Sequence, residues 1–315
     1  MPARLDLDVP VEKLTSILVV VDPADERRHV VAKAMVLARH FRARLELFFC
    51  DSEHAYALRH AYDATGVAEA RRQCLRAGQR YLDAVRRSVA EDVTISTHVA
   101  CDSPLYETIV RRVLETRPDL VIKSAAGKHP LQRFTLDAND WQLARTCPAP
   151  LMLTRGRPWS ARPRFAAAVD VSDAEAGSFS RSILQTAGFL TLGCDAQLDV
   201  VFSDRESASQ AERASHADAL NRLVNEFRVG GERAHILKGD VEDTLPTFAA
   251  SCDYDLLVLG ALSRREGLSA LVGTLTSKLV DALDCDFVLV KPETYACPLV
   301  ADFSTIATCQ RAWNA

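Results

Sequence analysis

The sequence DLLVLGA at residues 255–261 matches DLVIKSA at residues 119–125, and the two stretches lie 136 positions apart. The same offset continues without a gap from Asp119 and Asp255 to Leu151 and Phe287. Near-continuous apolar runs of this kind are typical of parallel strands that helices cover on both faces. The match therefore predicts two copies of one α/β unit in this chain.

Short β-branched runs alternate with longer amphipathic segments on both sides of these strands. In the first copy we predict strands at 16–22, 43–50, 92–100, 119–125 and 149–155, with helices at 24–41, 66–91, 104–116 and 138–146. In the second copy we predict strands at 165–172, 196–203, 232–240, 255–261 and 286–292. Crossovers of this length favour parallel pairing, so each copy should form a doubly wound five-stranded sheet with its ligand crevice at the carboxyl ends of the strands.

The length of the chain fits two such units. Its 315 residues exceed the ordinary size of one α/β domain. The stretch GRPWSARPR (156–164) between the copies is rich in proline and glycine, as linkers are. We predict an N-terminal domain at residues 1–156, a C-terminal domain at 164–292 and a C-terminal tail at 293–315.

Composition narrows the functional class. A hydrophobic content of 48% predicts real cores, and a net charge of -4 gives no general attraction for nucleic acid or for an anionic membrane. The acidic N-terminus does not read as a secretory signal, and no apolar run is long enough for a membrane span. Nine cysteines without a C-x-x-C pair indicate neither a disulfide framework nor a zinc site. We expect a soluble cytoplasmic protein without a nucleic-acid or membrane partner.

An arginine-rich segment is the one local departure from this balance. Residues 66–91 carry six arginines, which acidic residues at 69, 83 and 91 dilute. We interpret the segment as a solvated helix face, with contact to nucleic acid as the alternative.

Two glycines of the second copy suggest where chemistry takes place. Gly260 ends the fourth strand, and Gly273 with Thr274 begins the last predicted helix. The first N–H groups of a helix lack intrahelical partners and carry partial positive charge, so they favour a phosphate. Gly273 would let those groups approach an anion without a Cβ, Gly260 would allow a close turn, and the hydroxyls of Thr274 and Thr276 could add hydrogen bonds.

These residues resemble the universal stress protein family, whose nucleotide-binding members carry an aspartate after strand one and a G-x2-G-x9-G-[ST] loop. Gly260, Ser263, Gly273 and Thr274 occupy the loop positions here, with Ser263 in place of the second glycine. The resemblance implies that Asp170 contacts the adenosine moiety. It also implies that Gly260 and Ala261 line the site, and that the GTLT segment, Gly273, Thr274, Leu275 and Thr276, holds the phosphates.

The tandem layout and the stretch DWQLARTCPAPLML (140–153) are most similar to the two-domain E type of that family. This resemblance implies the adenine nucleotide alpha hydrolase-like fold, with strand order 3-2-1-4-5. It also implies that the fifth strands, APLMLT (149–154) and DFVLVK (286–291), pair with each other, so that the two halves form an intramolecular pseudo-dimer. Whether the chain also forms a homodimer stays open.

The offset of 136 supplies an internal control, because the first copy has Ser124, Gly127, Asp137 and Ala138 at the four loop positions. A carboxylate about 5 Å from a phosphate charge repels it by roughly 3 kcal/mol at an effective dielectric near 20. The first half is therefore not expected to bind nucleotide phosphates. Asp22, followed by Pro23, is interpreted as a helix N-cap, whereas Asp170 is available for a ligand because Ser172 and Asp173 can do the capping.

Our hypothesis is a cytoplasmic stress sensor or scaffold that binds ATP, together with Mg²⁺, in its C-terminal half and passes the signal to an unidentified protein partner. Binding rather than turnover is expected, with slow ATP hydrolysis at most, because no base that could activate water is evident. One alternative is a nucleotide-free module for partners or small ligands, which Asp137 and Ser263 favour. Another is an enzyme of the ATP pyrophosphatase type, disfavoured because VDVSDA (169–174) stands where its S-G-G-x-D-S loop would be.

Overall fold

The computed structural model describes residues 14–25, 28–60, 64–89, 92–125, 136–261, 279 and 283–300. Its strands are β1 (Ser16–Val20), β2 (Arg44–Cys50), β3 (Ile95–Ala100), β4 (Leu120–Ser124), β5 (Leu151–Thr154), β6 (Arg164–Ala168), β7 (Gln197–Asp204), β8 (Ala234–Lys238), β9 (Leu256–Gly260) and β10 (Asp286–Val290). The α-helices in this part of the chain are α1 (His29–Phe41), α2 (Ser52–Arg59), α3 (Ala64–Arg87), α4 (Leu105–Thr116), α5 (Ala138–Thr146), α6 (Ala174–Cys194), α7 (Gln210–Glu226) and α8 (Val241–Cys252).

The strands form one sheet in the order β3-β2-β1-β4-β5-β10-β9-β6-β7-β8. Within each half every pairing is parallel, and the order is 3-2-1-4-5, as expected. The doubly wound α/β fold is therefore confirmed for both halves.

The two half-sheets join through their fifth strands. β5 and β10 pair antiparallel, with Leu153 opposite Phe287, Met152 opposite Val288 and Leu151 opposite Leu289. This is the pairing that the resemblance implies for the pseudo-dimer. It turns two five-stranded sheets into one continuous sheet of ten.

Two apolar layers cover the sheet. One layer includes buried side chains of α1, α3, α6 and α7, and the other includes those of α4, α5 and α8. Helices α1 and α6, the first helices of the two halves, pack on each other. An added Cβ at Gly193 of α6 would lie 2.6 Å from Phe41 of α1, so this glycine permits the close approach.

All ten predicted strands are present, but two helical segments differ from the prediction. α1 begins at His29 rather than near residue 24, because the chain first makes a turn in which the Asp25 N–H donates to the Asp22 carbonyl. α2 was not predicted. Asp51 caps it by accepting from the His54 N–H at 3.1 Å.

The described part of the tail packs against the first half. Tyr295 donates its hydroxyl to the carbonyl of Arg145, and Lys291 Nζ donates to the carbonyls of Ala144 and Arg145, so both close the carboxyl end of α5. Burial lowers the pKa of Lys291 to about 8. No helix in the described residues has the length and apolarity that a membrane crossing requires.

Candidate functional site

The topology places the crevice of the second half between β6 and β9. The chain leaves β6 toward β7 on one side of the sheet and leaves β9 toward β10 on the other, so this is the point where the strand order reverses. Ala167 of β6 is in register with Val258 of β9, which brings the segments ending in Asp170 and Ala261 to the same level. The structure therefore brings Asp170, Gly260 and Ala261 together at adjacent strand ends.

Asp170 is held in a fixed turn with its side chain exposed. Its Oδ1 accepts from the Ser172 N–H at 2.9 Å. The hydroxyl of Ser180, a residue only 1% exposed on α6, accepts from the Asp170 N–H at 2.8 Å and donates to the Asp170 carbonyl at 2.7 Å. α6 thus anchors the backbone of Asp170, while the carboxylate stays exposed at the end of β6.

Asp170 is not the N-cap of α6. Asp173 caps α6 by accepting from the Ala176 N–H at 2.8 Å, as expected. The carboxylate of Asp170 is therefore available to accept hydrogen bonds from a ligand.

Gly260 is explained by packing rather than by a turn. It is paired within β9 and β10, and its backbone is not among those with positive φ. A Cβ added to Gly260 would lie 2.6 Å from Phe179 Cε1 of α6. The glycine therefore lets α6 approach the end of β9, which corrects the reason given from the sequence. Ala261 is buried and donates its N–H to the Val290 carbonyl at 2.7 Å.

The other predicted residues lie outside the described part of the chain. These are Ser263, Gly273, Thr274, Leu275 and Thr276 of the second half, and Gly127 of the first. Their roles stay predictions.

The first half shows a different arrangement at the matching strand ends. Asp22 was expected to cap α1, and this is wrong: its Oδ1 accepts from the Ala24 N–H at 2.8 Å, the same turn that Asp170 makes. Asp25 instead accepts from the N–H groups of His29 and Val30, because the helix begins farther along the chain.

The amino end of α5 is occupied by the protein's own carboxylates. Asp137 Oδ1 accepts from the Asp140 N–H at 2.7 Å, which makes Asp137 the N-cap. Asp140 is 3% exposed, and its Oδ1 lies 2.7 Å from Lys123 Nζ. Burial raises the pKa of Asp140, and the Lys123 ammonium opposes that effect. Two carboxylates at a helix amino end would repel a phosphate.

Sequence reasoning missed this buried pair of Lys123 and Asp140. The signal was a lysine inside an apolar strand, DLVIKSA, where the second copy has Leu259 in DLLVLGA. At the offset of 136, Thr276 stands in place of Asp140. The second half therefore lacks both members of the pair.

Two further polar groups near the crevice carry no sequence motif. Ser180, described above, anchors Asp170. At the end of β7, His216 Nδ1 lies 3.2 Å from Asp204 Oδ1, and Asp204 is 4% exposed. The Asp204 carbonyl also accepts from the Gly239 N–H at 2.8 Å, so the end of β7 is held from two sides.

The described part of the crevice presents a hydrogen-bond acceptor and no preformed metal centre. The crevice offers an exposed acceptor in Asp170 and, by sequence, no pair equivalent to Lys123 and Asp140. Within the described ranges no three His, Cys, Asp or Glu side chains are grouped to hold a metal ion.

Comparisons with known proteins match both halves. The model of the universal stress protein family matches residues 13–155 and again residues 193–291. The second match includes Gly260 and begins after Asp170. Universal stress protein E of Escherichia coli (strain K12) is 22% identical over 311 residues, which cover 91% of this chain and 97% of that protein.

Solved structures agree with the fold. A functionally unknown protein from Pseudomonas aeruginosa PAO1 is 25% identical, with a TM-score of 0.72 and coverage of 95% of this chain and 98% of that one. A universal stress protein from Archaeoglobus fulgidus DSM 4304 has a TM-score of 0.64 at 11% identity, covering 89% of this chain and 99% of the other. The second likeness concerns the fold alone.

Proposed function

The chain belongs to the universal stress protein family, and from this premise we propose that it is a stress-response protein whose C-terminal half binds an adenine nucleotide. We propose ATP, accompanied by Mg²⁺, as the ligand and the crevice between β6 and β9 as the site. Its proposed role is that of a cytoplasmic sensor or scaffold that signals to a protein partner through bound nucleotide.

The difference between the two crevices is the observation that supports this proposal. In the first half, Asp137 caps α5 and the buried Asp140 pairs with Lys123 beside the strand end. In the second half, Gly273 and Thr276 replace the two aspartates and Leu259 replaces the lysine. A tandem protein that keeps one crevice for an anion needs such an asymmetry, because a carboxylate and a phosphate repel each other.

Asp170 would bind and orient the nucleoside part of the ligand. An ionised carboxylate only accepts hydrogen bonds, and ribose hydroxyls or an adenine amino group can donate them. Ser172 and Ser180 fix the turn that carries this carboxylate, so little conformational freedom would be lost on binding. Phosphates would lie at the amino end of the predicted helix that follows Gly273, where Mg²⁺ would offset their charge.

A nucleotide-free module is the second candidate function, and one observation favours it. The packing of Phe179 against β9 is by itself a sufficient reason for a glycine at position 260. Ser263, which stands where the family loop has its second glycine, also favours this alternative. Under this alternative the second crevice would hold a partner or a small ligand instead of ATP.

Titration calorimetry with ATP and Mg²⁺ tests the proposal in a matched pair of variants. Asp170→Asn keeps an acceptor for the Ser172 N–H but removes the charge, and it should weaken ATP binding at least tenfold. Asp22→Asn makes the same change in the equivalent turn of the first half and should leave the affinity unchanged. Equal effects of the two substitutions, or no heat of binding in the wild type, would refute a site at Asp170.

A further inference from the structure

Helix α3 carries a local excess of positive charge. This helix carries six arginines against one glutamate and one aspartate, in a chain whose net charge is -4. The equivalent helix of the second half, α7, carries two arginines against three acidic residues. The charge balance of the whole chain, which predicts no attraction for nucleic acid, therefore conceals a strongly basic surface on one half.

Packing fixes which face of α3 meets solvent. An added Cβ at Gly78 would lie 2.6 Å from Val99 of β3 and 2.8 Å from Phe49 of β2, so the helix backbone rests directly on the sheet. Leu82 and Val85 are fully buried on the same side. All six arginines are exposed; they are Arg71, Arg72, Arg76, Arg80, Arg86 and Arg87.

The arginines form a row along this helix. Arg72, Arg76 and Arg80 follow one another at four-residue spacing, which places them on one ridge about 6 Å apart along the axis. Like charges at this spacing destabilise a helix. Glu69 accepts from Arg72 at 2.6 Å, while the Asp83 carboxylate lies 4.0 Å from Arg86. Glu69 thus pairs with the first arginine of the ridge, whereas Asp83 lies near an arginine outside it.

An exposed aromatic pair lies beside the basic helix. Tyr56 of α2 is 61% exposed, and its ring centroid lies 4.8 Å from that of His60, which is also exposed. Asp51 Oδ2, at the start of α2, lies 3.5 Å from Cys74 Sγ of α3, so the two helices are in contact. Tyr56 and His60 thus belong to a helix that contacts the basic helix α3.

We propose that the outer face of α3, together with Tyr56, binds single-stranded nucleic acid. A row of arginines that tracks a phosphate backbone, with an aromatic side chain on which a base can stack, is the combination that sequence-tolerant single-strand binding requires. A membrane surface fits less well, because none of the large apolar side chains exposed in the described residues lies on α3. An acidic protein segment would use the arginines but has no need of the aromatic pair.

Fluorescence anisotropy with labelled 20-nucleotide single strands, of both RNA and DNA, tests the proposal on the full chain. The wild type should bind with a dissociation constant below about 100 µM at physiological salt, the upper end for binding through phosphates. The variant Arg72→Gln/Arg76→Gln/Arg80→Gln should bind at least tenfold more weakly. Its plot of log affinity against log salt should lose about 2 units of slope, because single strands give roughly 0.7 per phosphate contact.

Two further variants test whether Tyr56 contributes by stacking and whether the loss in the triple variant is specific to α3. Tyr56→Ala should weaken binding severalfold without changing the salt slope, since a stacking contact releases no counterions. Arg222→Gln, an exposed arginine on the equivalent helix α7, should change neither quantity. Glutamine is a good helix former, and circular dichroism of the triple variant should show the wild-type helix content.

Three results would overturn the proposal. The first is no binding by the wild type at 50 mM salt. The second is equal loss of binding in Arg222→Gln and the triple variant. The third is tighter binding to duplex DNA, to polyglutamate or to phosphatidylglycerol vesicles than to either single strand, which would assign the face to that partner instead.

Discussion

Lys33 of the first half and Asp286 of the second form a buried ion pair across the junction of the two halves. Lys33 Nζ lies 2.5 Å from Asp286 Oδ2, and the two side chains are 5% and 2% exposed. Two further donors reach the same carboxylate at 2.8 Å: the Arg155 N–H, just after β5, and the Trp159 Nε1–H of the linker. This one aspartate of β10 therefore contacts α1, the linker and the residue that follows β5.

Replacing Lys33 with methionine should destabilise the whole chain, because it leaves a buried carboxylate without its counter-charge. The expected loss in the free energy of unfolding is about 3–5 kcal/mol. Urea unfolding measures it. Arg39→Met, which breaks the exposed pair with Asp92, is the control and should cost less than about 1 kcal/mol. Losses of similar size would show that Lys33 and Asp286 do not hold the halves together.

The buried pair of Lys123 and Asp140 can be tested by substituting the residues that the second copy has at these two positions. Lys123→Leu imports the residue of the second copy and leaves Asp140 buried without its partner, so it should cost about 3 kcal/mol or more. Adding Asp140→Thr, again as in the second copy, should recover most of the lost free energy of unfolding. A double variant as unstable as the sum of the single variants would mean that the two side chains are not coupled.

Gly260→Ala should lower the free energy of unfolding by about 1–3 kcal/mol, because the added methyl group meets Phe179 at 2.6 Å. Phe179→Leu in the same chain should recover part of it. Gly177→Ala is the matched control, since a Cβ at that helical position meets nothing within 4 Å and should stabilise the helix by up to about 1 kcal/mol. Thermal unfolding of the two variants should therefore show a lower melting temperature for Gly260→Ala and an equal or higher one for Gly177→Ala.

The fold was largely predictable because it depends on apolar periodicity and repetition. DLLVLGA and DLVIKSA both became central strands, and the pairing of β5 with β10 followed from the implied pseudo-dimer. α2 was missed because SEHAYALR spans only about two turns and buries a single residue, so it offers too short a pattern. The start of α1 was misplaced because the chain after β1 first makes the turn at Asp22, and a local pattern does not show where that turn gives way to the helix.

The site was only partly predictable for a different reason. Asp170 was identified from its position after strand one, and the structure places it next to Gly260, but its anchor Ser180 lies ten residues away on a helix face. The contact of Lys123 with Asp140 joins a strand to a helix, and the packing of Gly260 against Phe179 spans 81 positions. Such contacts depend on tertiary geometry, which no local pattern contains.

Alkaline pH should destabilise the protein through its buried thiols. Burial raises the pKa of Cys147, Cys194 and Cys285 from an ordinary value of 9.0 to about 12. Because the unfolded chain releases these protons first, the stability they contribute is present below pH 9 and is lost as pH rises from 9 to 12. Each thiol should lower the free energy of unfolding by about 1.4 kcal/mol between pH 8 and 10.

Cys194→Ala isolates one of these groups. The decrease between pH 8 and 10 should be smaller in this variant by the contribution of a single thiol, as measured by urea unfolding at the two pH values. An unchanged pH dependence would mean that the Cys194 thiol titrates alike in the folded and unfolded chain.

Counting the nucleotide bound to each chain is the most direct measurement of whether one half alone binds ATP. Freshly purified protein is denatured, the released nucleotide is identified by mass spectrometry, and titration calorimetry with ATP gives the stoichiometry. We predict one adenine nucleotide per chain in the wild type and in Asp137→Gly, and none in Gly273→Asp, which introduces the carboxylate of the first copy. Two nucleotides per chain, none in the wild type, or undiminished binding by Gly273→Asp would contradict a single phosphate site in the C-terminal half.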